Sequence, residues 1–231
     1  MNIIRRLKRL VHAAIIKRCH PVYSGEHSRQ WWTNRDAVQS SSQAYWDGRD
    51  SAARRSIAET IAGLEGNSLL EIGCHAGPNL YACAKRKKFS RIAGTELSAP
   101  VMAFAREHLL PEIGPLEIVE APAHALPFAD ASFDIVLTST VLVCIGPDEI
   151  LPSLSDILRV CRRWIVLAEP YSARPKDATP AGRVDRYSKT TYWIRNYAAL
   201  LQDKVRLVSI TRISKADQLG HLDSVLVLEK I

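Results

Sequence analysis

The chain has 231 residues, 47% of them apolar, enough for one substantial buried core with an appendage and too little for two full domains. Its net charge of +7 is local, because six basic residues (Arg5, Arg6, Lys8, Arg9, Lys17 and Arg18) precede the first acid, Glu26, and the other 25 face 24 acids; this near-neutral body argues against a broad nucleic-acid footprint, and no DNA partner is expected. Five cysteines, at positions 19, 74, 83, 144 and 161, show no metal-ligand spacing, and their odd number argues against a disulfide framework, so no metal and a reducing, cytoplasmic compartment are expected.

At the start of the chain Ile3, Leu7, Leu10 and Ala14, with Ile4, Val11 and Ile15, recur at helical spacing opposite the arginines and lysines. Residues 1–18 therefore read as a basic amphipathic helix able to lie on an anionic membrane surface, which would place the chain peripherally at an inner membrane face. A helix packed on its own domain or on a partner, or a frayed tail, are the plainer alternatives. The longest apolar run there, Ala13 to Ile16, is far too short to span a bilayer. Residues 20–50 scatter Trp31, Trp32, Tyr45 and Trp46 among polar residues around the serine-rich 39–43 stretch, and read as linker and cap. The expected division is a basic helix and aromatic cap over 1–50 and one domain over 51–231.

Helical spacing resumes with Ala53, Ile57, Ile61 and Leu64 and ends at the turn Gly66-Asn67. The next segment, Leu69-Leu70-Glu71-Ile72-Gly73-Cys74-His75-Ala76-Gly77-Pro78-Asn79-Leu80, runs from an apolar strand through an acid and a glycine-bearing turn into a helix start. Gly73 and Gly77 let a ligand lie against the main chain, Pro78 suits a first helical turn, and the helix start offers free N–H groups to an anion. The spacing departs from G-x-G-x-x-G because His75 holds the middle position, which argues against a pyrophosphate site. A second strand, Arg91 to Glu96, ends in an acid 23 positions after Gly73, the interval a strand, helix and returning strand require. Strand three follows at 116–119, strand four at 133–138, an amphipathic helix opened by Pro147 at 148–159, and strand five at 164–168. The runs 205–210 and 224–228 read as an antiparallel closing pair.

Taken together, the glycine turn with Glu71, the acid Glu96, and the passage Ala125-Leu126-Pro127-Phe128-Ala129-Asp130-Ala131-Ser132-Phe133-Asp134-Ile135-Val136-Leu137 resemble class I S-adenosylmethionine-dependent methyltransferases over about residues 67–140. The resemblance implies an α/β, doubly wound, mostly parallel seven-stranded Rossmann-like sheet with an antiparallel last strand, capped by an N-terminal helical segment. It implies S-adenosylmethionine as cofactor, its methionine part at the glycine turn and its ribose hydroxyls on Glu96. Ligands of open parallel sheets sit beyond the carboxyl ends of the strands. The cofactor contacts expected are accordingly Glu71, Gly73, His75, Gly77, Glu96, Leu97, Ala123, His124 and Thr138, with Tyr45, Trp46 and Arg49 as lid candidates. Pro122 stands where the family usually places a polar contact to the adenine amino group, so Ala123 or His124 would substitute.

Methyl transfer from a sulfonium is an in-line displacement whose main demands are alignment and exclusion of water. A hydroxyl acceptor also profits from a general base, for which His124, Glu169 and Asp185 are the candidates. Tyr171, Tyr187 and Tyr192 are expected to shape the acceptor pocket. The stretches 138–148 and 159–171 look like bacterial methyltransferases of surface-sugar biosynthesis, which often carry histidine where Cys144 stands and tyrosine where Pro170 stands. The expected function is O-methylation of a small-molecule, glycan or glycolipid acceptor. Methylation of RNA or another metabolite is the enzymatic alternative, and an inactive scaffold at a membrane surface the non-enzymatic one. Strand four runs into Thr138-Ser139-Thr140 rather than an Asn/Asp-Pro-Pro-Tyr-type motif, which counts against base methylation.

Overall fold

The computed structural model describes residues 32–33, 38–187, 190–218 and 222–231, so the basic segment 1–18 and Trp31 lie outside the described residues. Among the described residues nine strands form, seven of them in one sheet: β1 (Ser68–Ile72), β2 (Arg91–Glu96), β3 (Glu117–Glu120), β4 (Phe133–Ser139), β5 (Cys161–Glu169), β8 (Val205–Arg212) and β9 (Ser224–Lys230). Their order is β3-β2-β1-β4-β5-β9-β8, with only β9 antiparallel to its neighbours. The expected fold is thus present, and the chain order reverses between β1 and β4, where a crevice opens beyond the strand ends.

Successive strand residues point to opposite faces, which divides the core in two. Leu69, Ile92, Ile135 and Val166 meet helices α2 (Ala52–Ala62), α3 (Pro78–Ala84) and α4 (Ala99–Ile113) on one face. Leu70, Ala93, Val136 and Ile165 meet α5 (Ile150–Val160) and the short α6 (Tyr197–Leu200) on the other. Buried on both faces, these strands are near-continuously apolar, as parallel sheets require. Asp134 fixes the start of β1, accepting from the backbone N–H of Asn67 at 2.9 Å and from Ser68 Oγ at 2.8 Å.

Two features depart from expectation. The serine-rich stretch is not a linker: Val38–Asp47 forms helix α1, with Ser42 fully buried and Trp46 in the main core. Trp46 meets Tyr81 edge-on at 5.3 Å and His108 at 5.4 Å, so the cap is pinned to α3 and α4. Strands β6 (Arg183–Tyr187) and β7 (Thr190–Ile194) pair antiparallel in a separate two-stranded sheet. Among the described residues no helix is long and apolar enough to cross a membrane, and no cluster of His, Cys, Asp or Glu is placed to hold a metal ion.

Candidate active site

The crevice is organised by the turn after β1. Gly73 (φ 66°) and Gly77 (φ 77°) take left-handed backbone angles, and His75 joins them at φ 49°. A Cβ on Gly73 would lie 2.5 Å from Val141 Cγ2, and one on Gly77 would lie 2.2 Å from Leu109 Cδ1. Close packing and chirality thus both demand glycine there. The turn is tied to β2, since the Cys74 N–H donates to Thr95 O at 2.8 Å and the His75 N–H to Glu96 Oε2 at 3.1 Å.

Two cavities join across this turn. The first, of about 1070 Å³ with its open mouth, is lined by the buried polar residues Glu71, Asn79 and Arg54 and by Val143, Tyr192 and Leu222. Glu71 is 1% exposed; one oxygen accepts from Asn79 Nδ2 at 2.7 Å, while Oε2 is buried without a hydrogen-bond partner among the described residues. Burial pushes the Glu71 carboxyl up to about 8, against the pull of Asn79 and of Arg54. Arg54, itself buried, reaches Gly48 O, and its guanidinium lies 5.6 Å from the centre of the Tyr45 ring. A buried carboxylate with an unused oxygen beside a buried guanidinium is costly unless a ligand pairs with both.

The second cavity, of about 880 Å³, is lined by Glu96, Leu97, the 121–124 loop and the turn after β4. Glu96 accepts from the backbone N–H of Leu97 at 2.7 Å and of Ser98 at 3.1 Å, besides that of His75. Burial raises its pKa, with those three donors opposing. Three donors leave a carboxylate room for at least one more. Tyr45, Gly73, His75, Ser139 and Thr140 line both cavities, and so mark their junction.

This layout agrees with the comparisons. A family profile described as a methyltransferase domain matches residues 70–165, the span that holds the turn, Glu96 and the β4 end. Residues 70–165 are thus similar to a methyltransferase domain. No curated protein sequence matches the chain. Among solved structures, the chain shares its fold with the 1,6-didemethyltoxoflavin-N1-methyltransferase of Burkholderia thailandensis, at TM-score 0.63 and 20% identity over 81% of this chain and 84% of that one. It also resembles an S-adenosylmethionine-dependent methyltransferase of Aquifex aeolicus, at TM-score 0.58 and 15% identity over 83% and 97% of the two chains. Phosphoethanolamine N-methyltransferase 1 of Haemonchus contortus matches at TM-score 0.59 and 17% identity over 90% of this chain, which spans 50% of that one. The first and third of these were crystallised with S-adenosylhomocysteine.

The structure brings Glu71, Gly73, His75, Glu96, Leu97, Ala123, His124 and Tyr45 to the cleft, and Tyr192 lines it too. It moves others away. Glu169 is fully buried and lines neither cavity: Oε1 accepts from the N–H of Val141 at 2.9 Å and Leu142 at 3.0 Å, and Oε2 from that of Val143 at 3.3 Å. Burial pushes it up to about 7, opposed by those N–H groups. Glu169 is thus a cap for the turn that follows β4 rather than a base in the cleft. Thr138 is buried inside the sheet, and Ser139 and Thr140 face the cleft in its place. Gly77 lines neither cavity and serves the packing on Leu109. Tyr171 points into the second core and donates to Asn196 Oδ1 at 3.2 Å, so it shapes no pocket. Of the lid candidates, Tyr45 alone lines the cleft; Arg49 turns back over the Trp46 ring at 4.9 Å. The side chains of Asp185 and Tyr187 lie outside the described residues.

Arg54, Asn79 and Arg195 were not singled out from the sequence. Arg54 sits within an amphipathic helix beside the core position Ala53, where an arginine gives no signal of burial. Arg195 is fully buried and also grips the turn that Glu169 caps, donating to Leu142 O at 2.9 Å and Ile145 O at 2.7 Å. Only the tertiary fold brings these pairs together.

Proposed function

We propose that the chain transfers a methyl group from S-adenosylmethionine to a small-molecule or glycan-like acceptor, on oxygen. The observation that carries the cofactor assignment is the distribution of charge along the cleft. An amino-acid head group needs a carboxylate and a cation side by side, and the first cavity offers Glu71, with its unused Oε2, beside Arg54. Glu71 and Asn79 take the ammonium group, and Arg54 takes the carboxylate. Glu96 accepts from the ribose hydroxyls, and Leu97, Ala123 and His124 flank the adenine. When bound, the cofactor supplies an electrophilic methyl group on a positively charged sulfur. The chain's own part is to align the acceptor in the cleft and to keep water from the junction that the Tyr45 ring lines.

The acceptor reading draws on the likeness of residues 138–148 and 159–171 to methyltransferases of surface-sugar biosynthesis. It is tested by incubating the full chain with methyl-labelled S-adenosylmethionine and a panel of nucleotide-sugars, glycolipids, small alcohols, amines and RNA, and locating the label by mass spectrometry. An O-methylated sugar or alcohol is expected; label only on nitrogen or only in RNA overturns it. The basic, amphipathic residues 1–18 support a peripheral membrane contact. Co-sedimentation with anionic liposomes should therefore be lost when that segment is removed, and equal behaviour of the two proteins sinks it.

A further inference from the structure

We propose that His75 determines how strongly the cleft prefers the sulfonium cofactor to its thioether product. The inference rests on the cofactor placement just given. In S-adenosylmethionine the sulfur is the atom that joins the amino-acid chain to the ribose. If Glu71 and Arg54 hold one end and Glu96 the other, the sulfur lies where the two cavities meet. The junction is lined by Tyr45, Gly73, His75, Ser139 and Thr140. Of these residue types only histidine ordinarily changes charge near neutral pH. Its position is fixed: the backbone is left-handed at φ 49°, the N–H is anchored on Glu96 at 3.1 Å, and the ring stacks on Tyr45 at 4.3 Å and 27°.

A neutral imidazole beside the sulfonium leaves the positive sulfur undisturbed, whereas an imidazolium repels it. S-adenosylhomocysteine carries a neutral sulfur and feels neither. His75 therefore biases the site toward fresh cofactor when neutral and toward product when protonated. The other charged or titratable groups around the cleft are Tyr45 on α1, Arg54 on α2, Glu71 on β1, Cys74 in the turn after it, Glu96 on β2, His124 after β3, Cys144 after β4, Glu149 before α5 and Tyr192 on β7. The two ligands share their amino-acid, ribose and adenine groups, so contacts to those parts cancel in the ratio of affinities. The remaining field of Glu71 and Glu96 at the sulfur is separated from that of His75 by substitution.

The test is calorimetry on the full chain with S-adenosylmethionine and with S-adenosylhomocysteine from pH 5.5 to 8.5, for the wild type, His75→Asn and His75→Gly. Asparagine and glycine both accept the left-handed backbone. The wild-type ratio Kd(S-adenosylmethionine)/Kd(S-adenosylhomocysteine) should fall about tenfold with rising pH, the scale of two charges interacting at a partly screened site. It should stay within about threefold in both variants, which is inside the spread of such measurements. By linkage, the His75 imidazole followed by NMR in the wild type should titrate at lower pH in the S-adenosylmethionine complex than in the S-adenosylhomocysteine complex. A flat wild-type ratio, a slope retained in the variants, or equal imidazole titrations overturns the proposal while leaving the cofactor site intact. Failure of the wild type to bind either ligand overturns the cofactor placement itself.

Discussion

Replacing Glu71 with glutamine separates a site that binds an ammonium group from one that merely has room for it. In the ligand-free protein burial pushes the Glu71 carboxyl up to about 8, so at pH 6 the group is protonated. Pairing with an ammonium requires the carboxylate, and the proton must leave first. Two pH units of deprotonation cost about 2.7 kcal/mol, or about a hundredfold in Kd at pH 6 relative to the plateau above pH 8. Because Glu71 is 1% exposed, little of this is lost to solvent screening. The sign is set by the raised pKa: affinity strengthens as pH rises, by about tenfold per unit between pH 6 and 7. Calorimetry with S-adenosylhomocysteine is the appropriate assay, since its neutral sulfur is indifferent to His75. Glu71→Gln presents a similar shape that does not titrate in this range. It should match the wild type within about threefold at pH 6, fall behind by about tenfold or more at pH 7.5, and lose most of the slope. A wild-type affinity independent of pH, or a variant with the full slope, would falsify the ammonium assignment.

Three further outcomes follow from the same geometry. Glu96→Ala should weaken S-adenosylhomocysteine binding by about ten- to a hundredfold, because it removes the ribose acceptor and frees the N–H groups of His75, Leu97 and Ser98; unchanged affinity in calorimetry refutes the ribose role. Gly77→Ala combines a φ of 77° with a Cβ that would sit 2.2 Å from Leu109 Cδ1, and should destabilise the fold by about 2–4 kcal/mol in urea titration; a loss under about 0.5 kcal/mol contradicts the packing argument. Glu169, raised to about 7 by burial, favours the folded state below its unfolded value and loses that contribution as pH rises through about 7. The unfolding free energy of the wild type should therefore decline between pH 5 and 7.5 by up to about 3 kcal/mol more than that of Glu169→Gln, and parallel pH profiles in urea rule this out.

What the sequence disclosed was whatever depends on local order and spacing. Gly73 and Gly77 announced a turn, and Glu96 fell at the interval that one strand and one helix impose, so the β1–β2 half of the cleft was legible. The structure adds that Leu69 and Leu70, like Ile135 and Val136, face opposite sides of a sheet buried on both faces. Residues whose role depends on a distant partner were not legible. Glu169 stands at a strand end, where ligands of open parallel sheets sit, yet its partners are three backbone N–H groups 26–28 positions earlier. Arg54 reads as a solvated helix residue until the fold sets it beside Glu71. The serines of residues 40–42 suggested a linker because serine favours caps and turns in isolation, but packing of Trp46 on α3 and α4 overrides that preference and makes α1. Hairpin β6–β7 escaped notice because its charged residues hide the alternation that marks a half-buried strand.

The most direct test of the account is a calorimetric titration of the full chain, near pH 7.5, with S-adenosylmethionine and separately with S-adenosylhomocysteine, repeated on Arg54→Ala. The cleft described here predicts micromolar binding of both ligands with one site per chain, weakened about tenfold or more when the guanidinium that pairs with the carboxylate is removed. Absence of binding to either ligand, or binding that Arg54→Ala leaves unchanged, contradicts it.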